Sequence, residues 1–277
     1  MFDLEGINNN TKGIENSSKS FEISESQHSY LKELDVPSDV WSEMNASDRT
    51  SCLSSIIDRF EELGIVAVEV IDEIISEIFS PEIVEEYKKI EAAPQDCEQI
   101  EQVSDILACS HEFEIDNWEQ LTFDERVTAL NELEIKISEI EHRPACPVLC
   151  EDMGPIQVCF GQIGGMMGGF SPETKTIRLN TELIESNDPV VLRETLDTII
   201  HEGRHAYQDY NVNQCEIHPR HSEVESWAET MDGGKWGYFG DTSTLLGQRL
   251  YEQQSIEIDA RNFAADVMDK FDKKQYA

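Results

Sequence analysis

The spacing of hydrophobic residues divides the chain into three parts. Residues 1–30 hold few large apolar side chains among many Asn, Ser, Lys and Glu, so burial could not offset the entropy of ordering them and we expect a flexible tail. Over residues 31–144, apolar residues recur at helical spacing. In residues 145–277, prolines and glycines interrupt that pattern, and short apolar runs alternate with further helical stretches.

The helical part contains an internal repeat, near 41–63 and 118–142. The matched positions are Trp41, Met44, Arg49, Leu53 and Ile56 in the first copy and Trp118, Leu121, Arg126, Leu130 and Leu133 in the second. Each copy predicts a short turn with a tryptophan followed by a long amphipathic helix. In the second copy Thr122-x-x-Glu125 has the form of a capping box, which marks a helix start. The repeat is typical of a recognition module or, equally, of a duplicated scaffold whose apolar stripes pack together.

The third part predicts a small sheet beside two helices. Strands are expected over 156–160 and 176–180, with a glycine-rich segment between them that suits a flexible hairpin or a site rim. Asp188-Pro189 combines a helix N-cap with proline at the first helical position, and 251–264 has helical spacing. The fold class is therefore α+β and predominantly helical, with an acidic helical region followed by a domain containing a sheet of two or three strands.

The chain is strongly acidic, with a formal net charge of −36 and a hydrophobic fraction of 39%. Such a surface repels phosphates and anionic lipid headgroups, so we expect no nucleic-acid partner and no membrane partner. The charge is uneven: residues 1–145 carry 10 Lys and Arg against 35 Asp and Glu. A solvated surface explains this balance most simply. The alternative explanation of the acidic charge is a regulatory protein partner that binds through the acidic helical region.

The seven cysteines are an odd number scattered along the chain. We expect free thiols in a reducing compartment, and with no signal peptide and no apolar run of transmembrane length we expect a cytoplasmic protein. Delivery into a target cell without a signal peptide remains compatible with the same features. Cys146 and Cys150 are separated by three residues, without a second pair at zinc-knuckle spacing, and are interpreted as structural.

The segment His201-Glu202-x-x-His205 carries the candidate chemistry. On a helix, positions i and i+4 project from one face one turn apart, so both imidazoles can bind one Zn²⁺ ion while Glu202 stands beside a metal-bound water. Apolar residues precede the motif, as expected for a helix in a core; they are Leu192, Leu196, Ile199 and Ile200. The alternative is a chance match on a helix with two exposed histidines.

A catalytic zinc usually takes a third protein ligand. The metzincin pattern would need Gly and His where this chain has Gln208 and Asn211, so that pattern is excluded. His218 and His221 offer imidazoles, but Pro219 breaks helical geometry between them and both are interpreted as mostly surface residues. A glutamate on a later helix is the remaining possibility.

At these residues the chain resembles a known group of enzymes. The first motif followed by Glu257-x-Asp259-Ala-x-x-Phe-Ala resembles the gluzincin pattern, particularly that of ImmA/IrrE-like peptidases, and the string His-Glu-x-Arg-His-Ala-Tyr-Gln is similar to zincin-like domains of bacterial, phage and toxin-associated proteins. The resemblance covers about 145–272. It implies His201, His205 and Glu257 as zinc ligands. Glu202 would be the general base, and Asp259 would contact the ligands without touching the metal.

The expected function is a zinc-dependent endopeptidase acting on a protein or peptide substrate. Tyr251 is the first candidate to stabilise the oxyanion, and Tyr207 and Tyr210 are the next candidates. Ordinary packing would equally explain any of the three. The insert at 214–247 is expected to shape the substrate cleft or to form a small satellite core. Two alternatives stay open: an inactive zincin-like scaffold that binds a partner through the acidic helical region, and a delivered effector or toxin protease.

Overall fold

The computed structural model describes residues 92–159, 162–231 and 251–275, together with residues 238, 240 and 248. This part of the chain is α+β and mostly helical, which confirms the predicted class. Its elements in chain order are α1 (Pro94–Cys109), a 3-10 turn (His111–Phe113), α2 (Ile115–Trp118), α3 (Phe123–Ile140), β1 (Val148–Glu151), β2 (Gln157–Cys159), β3 (Gln162–Gly164), β4 (Gly168–Ser171), β5 (Thr176–Asn180), α4 (Thr181–Glu185), α5 (Pro189–Asn213), α6 (His221–Thr230) and α7 (Ser255–Gln275). The tail predicted at 1–30 and the first copy of the repeat lie outside the described residues.

Three strands form the main sheet, in the order β1-β5-β4. β1 runs parallel to β5, with Val148 opposite Ile177, and β4 runs antiparallel to β5, with Gly168 opposite Leu179. β2 and β3 pair separately as an antiparallel hairpin. The expected small sheet is present around the strand predicted at 176–180, but the strand predicted at 156–160 lies in the separate hairpin. The sequence does not predict β1, because four residues directly after Pro147 are too few to establish an alternating pattern.

The segment predicted as the second copy of a repeat begins as the sequence predicts. α2 is the short turn that ends at Trp118, and α3 is the long helix that follows it. Thr122 caps α3: its backbone N–H donates to Glu125 Oε2 at 2.8 Å, and its hydroxyl oxygen accepts from the Glu125 N–H at 3.4 Å. The capping box is therefore confirmed.

Trp118 and Arg126 both hydrogen-bond the loop from which α5 begins. The indole of Trp118 donates to the Ser186 carbonyl at 3.1 Å. The guanidinium of Arg126 donates to the Ile184 carbonyl at 2.8 Å and to Asn187 Oδ1 at 2.5 Å. These bonds satisfy carbonyls at the end of α4 and fix the loop from which α5 begins.

One hydrophobic core extends across residue 144. The residues before this point come from α1, α2 and α3, and those after it come from the main sheet, α5 and α7. The core includes Ile100, Val103, Leu107, Trp118, Leu130, Leu133, Ile137, Val148, Ile177, Leu179, Leu196, Ile199, Ile200, Phe263, Val267 and Phe271. The described helices of the acidic region therefore pack directly against the helices that follow.

α5 lies close to two other elements because glycines stand at the points of contact. A Cβ on Gly203 would come within 3.1 Å of Arg143 Nη2, in a buried ion pair between Arg143 and Glu134 with a separation of 2.6 Å. A Cβ on Gly168 would come within 2.8 Å of Thr198 Cγ2. The glycines thus allow a buried arginine on one side and strand β4 on the other to approach the helix.

α5 and α7, with 25 and 21 residues, form the frame of the candidate site. Asp188 caps α5 by accepting a hydrogen bond from the Val190 N–H at 2.8 Å, and Pro189 occupies the first turn, as predicted. Both helices turn an apolar face to the core. Among the described residues, no helix is long and apolar enough to cross a membrane.

Candidate metal centre

The two histidines of the motif lie one turn apart on α5 and face the same point. Their Nε2 atoms are 3.1 Å apart, and the planes of their rings are inclined at 83°. The side chains of His201 and His205 expose 15% and 13% of their surface, so both are close to solvent without lying on an open helix face. This burial argues against two accidentally matched surface histidines.

Glu257, near the start of α7, brings a carboxylate to the same point. Its Oε2 lies 3.4 Å from His201 Nε2, and its Oε1 lies 3.3 Å from His205 Nε2. Three ligands that stand 2.0–2.1 Å from a tetrahedral zinc ion are about 3.3 Å from one another. The separations of 3.1, 3.3 and 3.4 Å therefore fit a single zinc ion.

The electrostatics of these side chains also fit a cation. Burial alone would raise the pKa of Glu257, but His205, foremost, and His201 hold it well below its usual range. Burial would lower the pKa of His205, but the Glu257 carboxylate outweighs it and raises that pKa to about 9. Glu257 Oε2 is buried and accepts no hydrogen bond from any described residue. A buried carboxylate oxygen without a donor is stabilised by a bound cation.

Glu202 lies on the same side of α5 as the two histidines and is 8% exposed. Its negative charge acts on His205 and on the hydroxyls of Tyr238 and Tyr251. The predicted base thus stands within electrostatic reach of the metal ligands and of both tyrosines.

Two tyrosine hydroxyls converge on Glu257. Tyr238 donates to Glu257 Oε1 at 2.9 Å, and the Tyr251 hydroxyl lies close enough for the Glu257 charge to act on its pKa. The two rings meet edge to face with centroids 6.3 Å apart. Burial, foremost, and the Glu257 charge raise the pKa of both hydroxyls, so both remain protonated donors. Sequence reasoning placed Tyr251 here but assigned Tyr238 only to the insert.

Tyr207, the second oxyanion candidate, points away from the centre. It is fully buried, and its hydroxyl is 3.2 Å from His218 Nδ1. Its ring packs edge to face with Trp227 at a centroid distance of 6.2 Å. Within the 214–247 insert, Trp227 joins a satellite core, as one of the two expectations had it, and Tyr238 reaches Glu257. The other aromatic residues of the insert, Trp236 and Phe239, lie outside the described residues.

A series of hydrogen-bonded polar side chains starts at the Nδ1 atom of His205, on the side of the ring away from the candidate centre. His205 Nδ1 lies 2.8 Å from Gln208 Oε1, and Gln208 Nε2 donates to Asp259 Oδ2 at 2.7 Å. Asp259 in turn accepts from Arg204 at 2.8 Å, and Arg204 donates to Asp96 on α1 at 3.0 Å. Asp259 is thus connected to His205 through Gln208. The sequence could have indicated Gln208, because it follows His205 by three residues on one helix.

A second group of potential ligands lies on the other side of Tyr207: Asp96, His218 and Glu223. The expectation that His218 is a surface residue is wrong. The imidazole is 4% exposed because the turn at Pro219 folds it beneath Trp227, where its Nε2 pairs with Glu223 at 3.0 Å. His221 is exposed, as expected.

This second group is already balanced by cations. Arg204 donates to Asp96, and Arg220 donates to Glu223 at 2.7 Å. The Arg220 and His218 bonds overcome the effect of burial and lower the pKa of Glu223. A metal ion would have to compete with two guanidinium groups. We therefore interpret the second group as a structural ion-pair network.

The geometry selects His201, His205 and Glu257 as the group suited to a metal, with Glu202, Tyr238 and Tyr251 beside it. Comparison of the chain with protein-family models, with curated proteins and with solved structures finds no match.

Proposed function

We propose that this protein is a zinc-dependent endopeptidase that hydrolyses a peptide bond of a protein or peptide substrate. The observation that carries the proposal is the convergence of His201 Nε2, His205 Nε2 and a Glu257 carboxylate oxygen at separations of 3.1–3.4 Å, with Glu202 on the same side. Two histidines and one glutamate are a ligand set of catalytic zinc sites, which keep a further position for water or substrate.

The proposed mechanism gives each side chain one task. When bound, zinc polarises the substrate carbonyl and increases the acidity of the attacking water. Glu202 accepts the proton of that water and then passes it to the leaving amine. His201, His205 and Glu257 would hold the metal, which requires all three in the deprotonated form. The partial burial of this group excludes bulk water, which strengthens each of these interactions.

The tyrosines supply the second stabilising group for the negative charge that develops on the carbonyl oxygen. Tyr238 donates to Glu257 in this structure, and the raised pKa of its hydroxyl keeps the proton available for a substrate oxygen. Tyr251 is the predicted donor, and its ring lies against that of Tyr238. Of the two we assign the main role to Tyr238, because its hydroxyl donates to Glu257 Oε1 at 2.9 Å and so lies beside the proposed metal ligands.

Strand β4 offers a means of holding an extended substrate. It lies at one edge of the three-stranded sheet, and its outer side has no strand partner among the described residues. The close contact between Gly168 and Thr198 places β4 beside α5, one turn before His201. A peptide that paired with this edge by backbone hydrogen bonds would pass along the metal helix.

The cysteines agree with a cytoplasmic setting for this activity. Those whose side chains the structure describes are all free thiols: Cys97, Cys109, Cys146, Cys150 and Cys215. Burial, foremost, raises the pKa of Cys146 to about 11, so this thiol is unreactive and serves packing. Free thiols persist in a reducing compartment.

The proposal is tested by comparing wild type with Glu202→Gln. Metal analysis of the purified wild type should find one zinc per chain, and Glu202→Gln should retain the metal while losing hydrolysis by about 10²–10⁴-fold. N-terminal proteomics of both proteins incubated with a proteome identifies the substrate in the same experiment. Unchanged cleavage in the variant would refute the mechanism. A protein that binds zinc, cleaves nothing and captures the same partner in both forms would instead be the inactive scaffold.

A further inference from the structure

We propose that Gln208 is a positioning residue that fixes the imidazole of His205 in the form that binds metal. The amide holds a proton on His205 Nδ1 and so leaves the Nε2 lone pair facing His201 and Glu257. This inference rests on the proposed zinc site and adds to it a residue that touches neither the metal nor the substrate.

The orientation of the Gln208 amide follows from its other contacts. Its Nε2 lies 2.9 Å from the Ile256 carbonyl and 2.7 Å from Asp259 Oδ2. Both are acceptors: a carbonyl cannot donate, and Asp259 is a carboxylate held by Arg204 through two bonds of 2.8 and 3.1 Å. The amide nitrogen must therefore point to these two oxygens, which turns Oε1 toward His205.

The protonation of His205 follows in turn. Gln208 Oε1 is an acceptor only, and it lies 2.8 Å from His205 Nδ1. Nδ1 must carry the hydrogen, so in the neutral imidazole the lone pair is on Nε2. That is the nitrogen that lies 3.1 Å from His201 Nε2 and 3.3 Å from Glu257 Oε1. The hydrogen bond at one ring nitrogen thus selects the other as the metal ligand.

The same amide also joins the two helices that supply ligands. Ile256 and Asp259, its acceptors, stand on α7 on either side of Glu257, whereas Gln208 stands on α5 with both histidines. Gln208 is fully buried, so no water competes for these bonds. One side chain therefore sets both the ring orientation of His205 and the distance from α5 to the third ligand.

A purely structural role for Gln208 would produce different results, and Asn211 provides the matched control. Asn211 is also a buried amide on α5, which donates to the Tyr207 carbonyl at 2.8 Å and accepts from the His218 N–H at 2.7 Å. It contacts no candidate ligand in the described structure. Replacing either amide by leucine removes buried hydrogen bonds, but only Gln208→Leu removes the acceptor from His205.

The test is a competition titration of zinc against a chelator at 15 °C. Four full-length proteins are compared: wild type, Gln208→Leu, Gln208→Glu and Asn211→Leu. Circular dichroism first confirms that each is folded. Gln208→Leu should bind zinc about 10–100-fold more weakly than wild type. Gln208→Glu should also bind zinc more weakly than wild type, because its carboxylate still accepts from Nδ1 but would oppose the Ile256 carbonyl and Asp259 Oδ2 and so break the link to α7. Asn211→Leu should lose stability and keep wild-type zinc affinity. Equal zinc affinity of wild type and Gln208→Leu overturns the inference and leaves the zinc site intact.

The wild type supplies a second readout that does not depend on how any variant folds. Long-range ¹H–¹⁵N spectra of the zinc-loaded protein should show His205 protonated at Nδ1 and metal-bound at Nε2. Metal coordination through Nδ1 would overturn the inference. A wild type that binds no zinc at all would refute both the proposed function and this inference. Zinc binding that is the same with and without Gln208 would refute only this inference.

Discussion

Arg204 donates to Asp96 at 3.0 Å and so joins the helix of the metal motif to a helix that lies 108 residues earlier in the chain. The guanidinium is fully buried and also donates to Asp259, and its charge stands over the rings of Tyr207 and Phe263 at 4.5 and 4.6 Å. Burial would lower the pKa of Arg204, but the two carboxylates more than reverse this effect. The acidic helical region is thus part of the support of the site.

Replacing Arg204 by methionine should destabilise the protein by about 3–5 kcal/mol, because Asp96 and Asp259 would be left as buried charges without a counterion. Urea unfolding measures this loss. Arg193→Met is the control on the same helix: Arg193 pairs with Asp272 at the surface, where the cost should stay below about 1 kcal/mol. Equal losses in the two variants would contradict the buried network.

A fragment of residues 145–277 should not fold alone. It would lack the apolar side chains of α1 and α3 and the hydrogen bonds of Trp118 and Arg126 that fix the start of α5. We expect weak near-ultraviolet circular dichroism and rapid proteolysis of this fragment, whereas the full chain should remain folded. Cooperative unfolding of the fragment would show that the shared core is dispensable.

Tyr238→Phe should lower kcat by about 10²-fold with little change in KM, since the hydroxyl is assigned to the transition state and not to substrate binding. Tyr207→Phe is the control, because that hydroxyl contacts His218 away from the site. It should reduce stability and leave kcat unchanged. If Tyr251→Phe had the larger effect on kcat, the roles of the two site tyrosines would be reversed.

Zinc affinity should rise with pH up to about pH 9. In the metal-free protein the pKa of His205 is raised to about 9, so zinc must displace a proton at neutral pH. Affinity should therefore increase by up to tenfold per pH unit below that value and level off above it. Calorimetry in buffers of different ionisation enthalpy should detect about one proton released per zinc.

The stability of the metal-free protein should have the opposite pH dependence. The His205–Glu257 ion pair contributes fully below the ordinary pKa of histidine, about 6.5, and its contribution is lost as the pH rises through about 9. Thermal unfolding followed from pH 6 to 10 should show this decline in the metal-free form. Glu257→Gln should remove it, because the uncharged amide no longer favours a protonated His205.

Gly203→Ala should cost about 1–3 kcal/mol, because the added methyl group would meet Arg143 Nη2 at 3.1 Å in a buried ion pair that has little room to move. Gly169→Ala is the matched control, since a Cβ there would meet only Arg178 Nη2, at an ordinary contact distance of 3.9 Å. Thermal unfolding of the two variants separates the effects. A neutral Gly203→Ala would mean that α5 and the ion pair can move apart.

Local patterns account for what the sequence could predict. The i, i+4 spacing of His201 and His205, the cap at Asp188 and the box at Thr122 each depend on residues within one or two turns, and the structure has the corresponding helices. The third ligand position came from a second motif, at Glu257, and this carboxylate lies against the histidines.

Long-range packing accounts for what the sequence could not predict. Tyr238 belongs to the insert, and no spacing rule connects it with Glu257. His218 was assigned to the surface from the proline that follows it, but that turn buries it beneath Trp227. β1 is a strand only because β5 pairs with it. Each of these features depends on which distant segment supplies the partner.

The separation of the ligands along the chain has a consequence during protein synthesis. The two histidines emerge from the ribosome well before Glu257, which lies beyond the insert on α7. A nascent or prematurely terminated chain that ends before α7 carries the complete HExxH motif without the third ligand, and it also lacks the residues that orient Gln208. Unfinished copies of the protein would therefore lack the complete candidate metal centre.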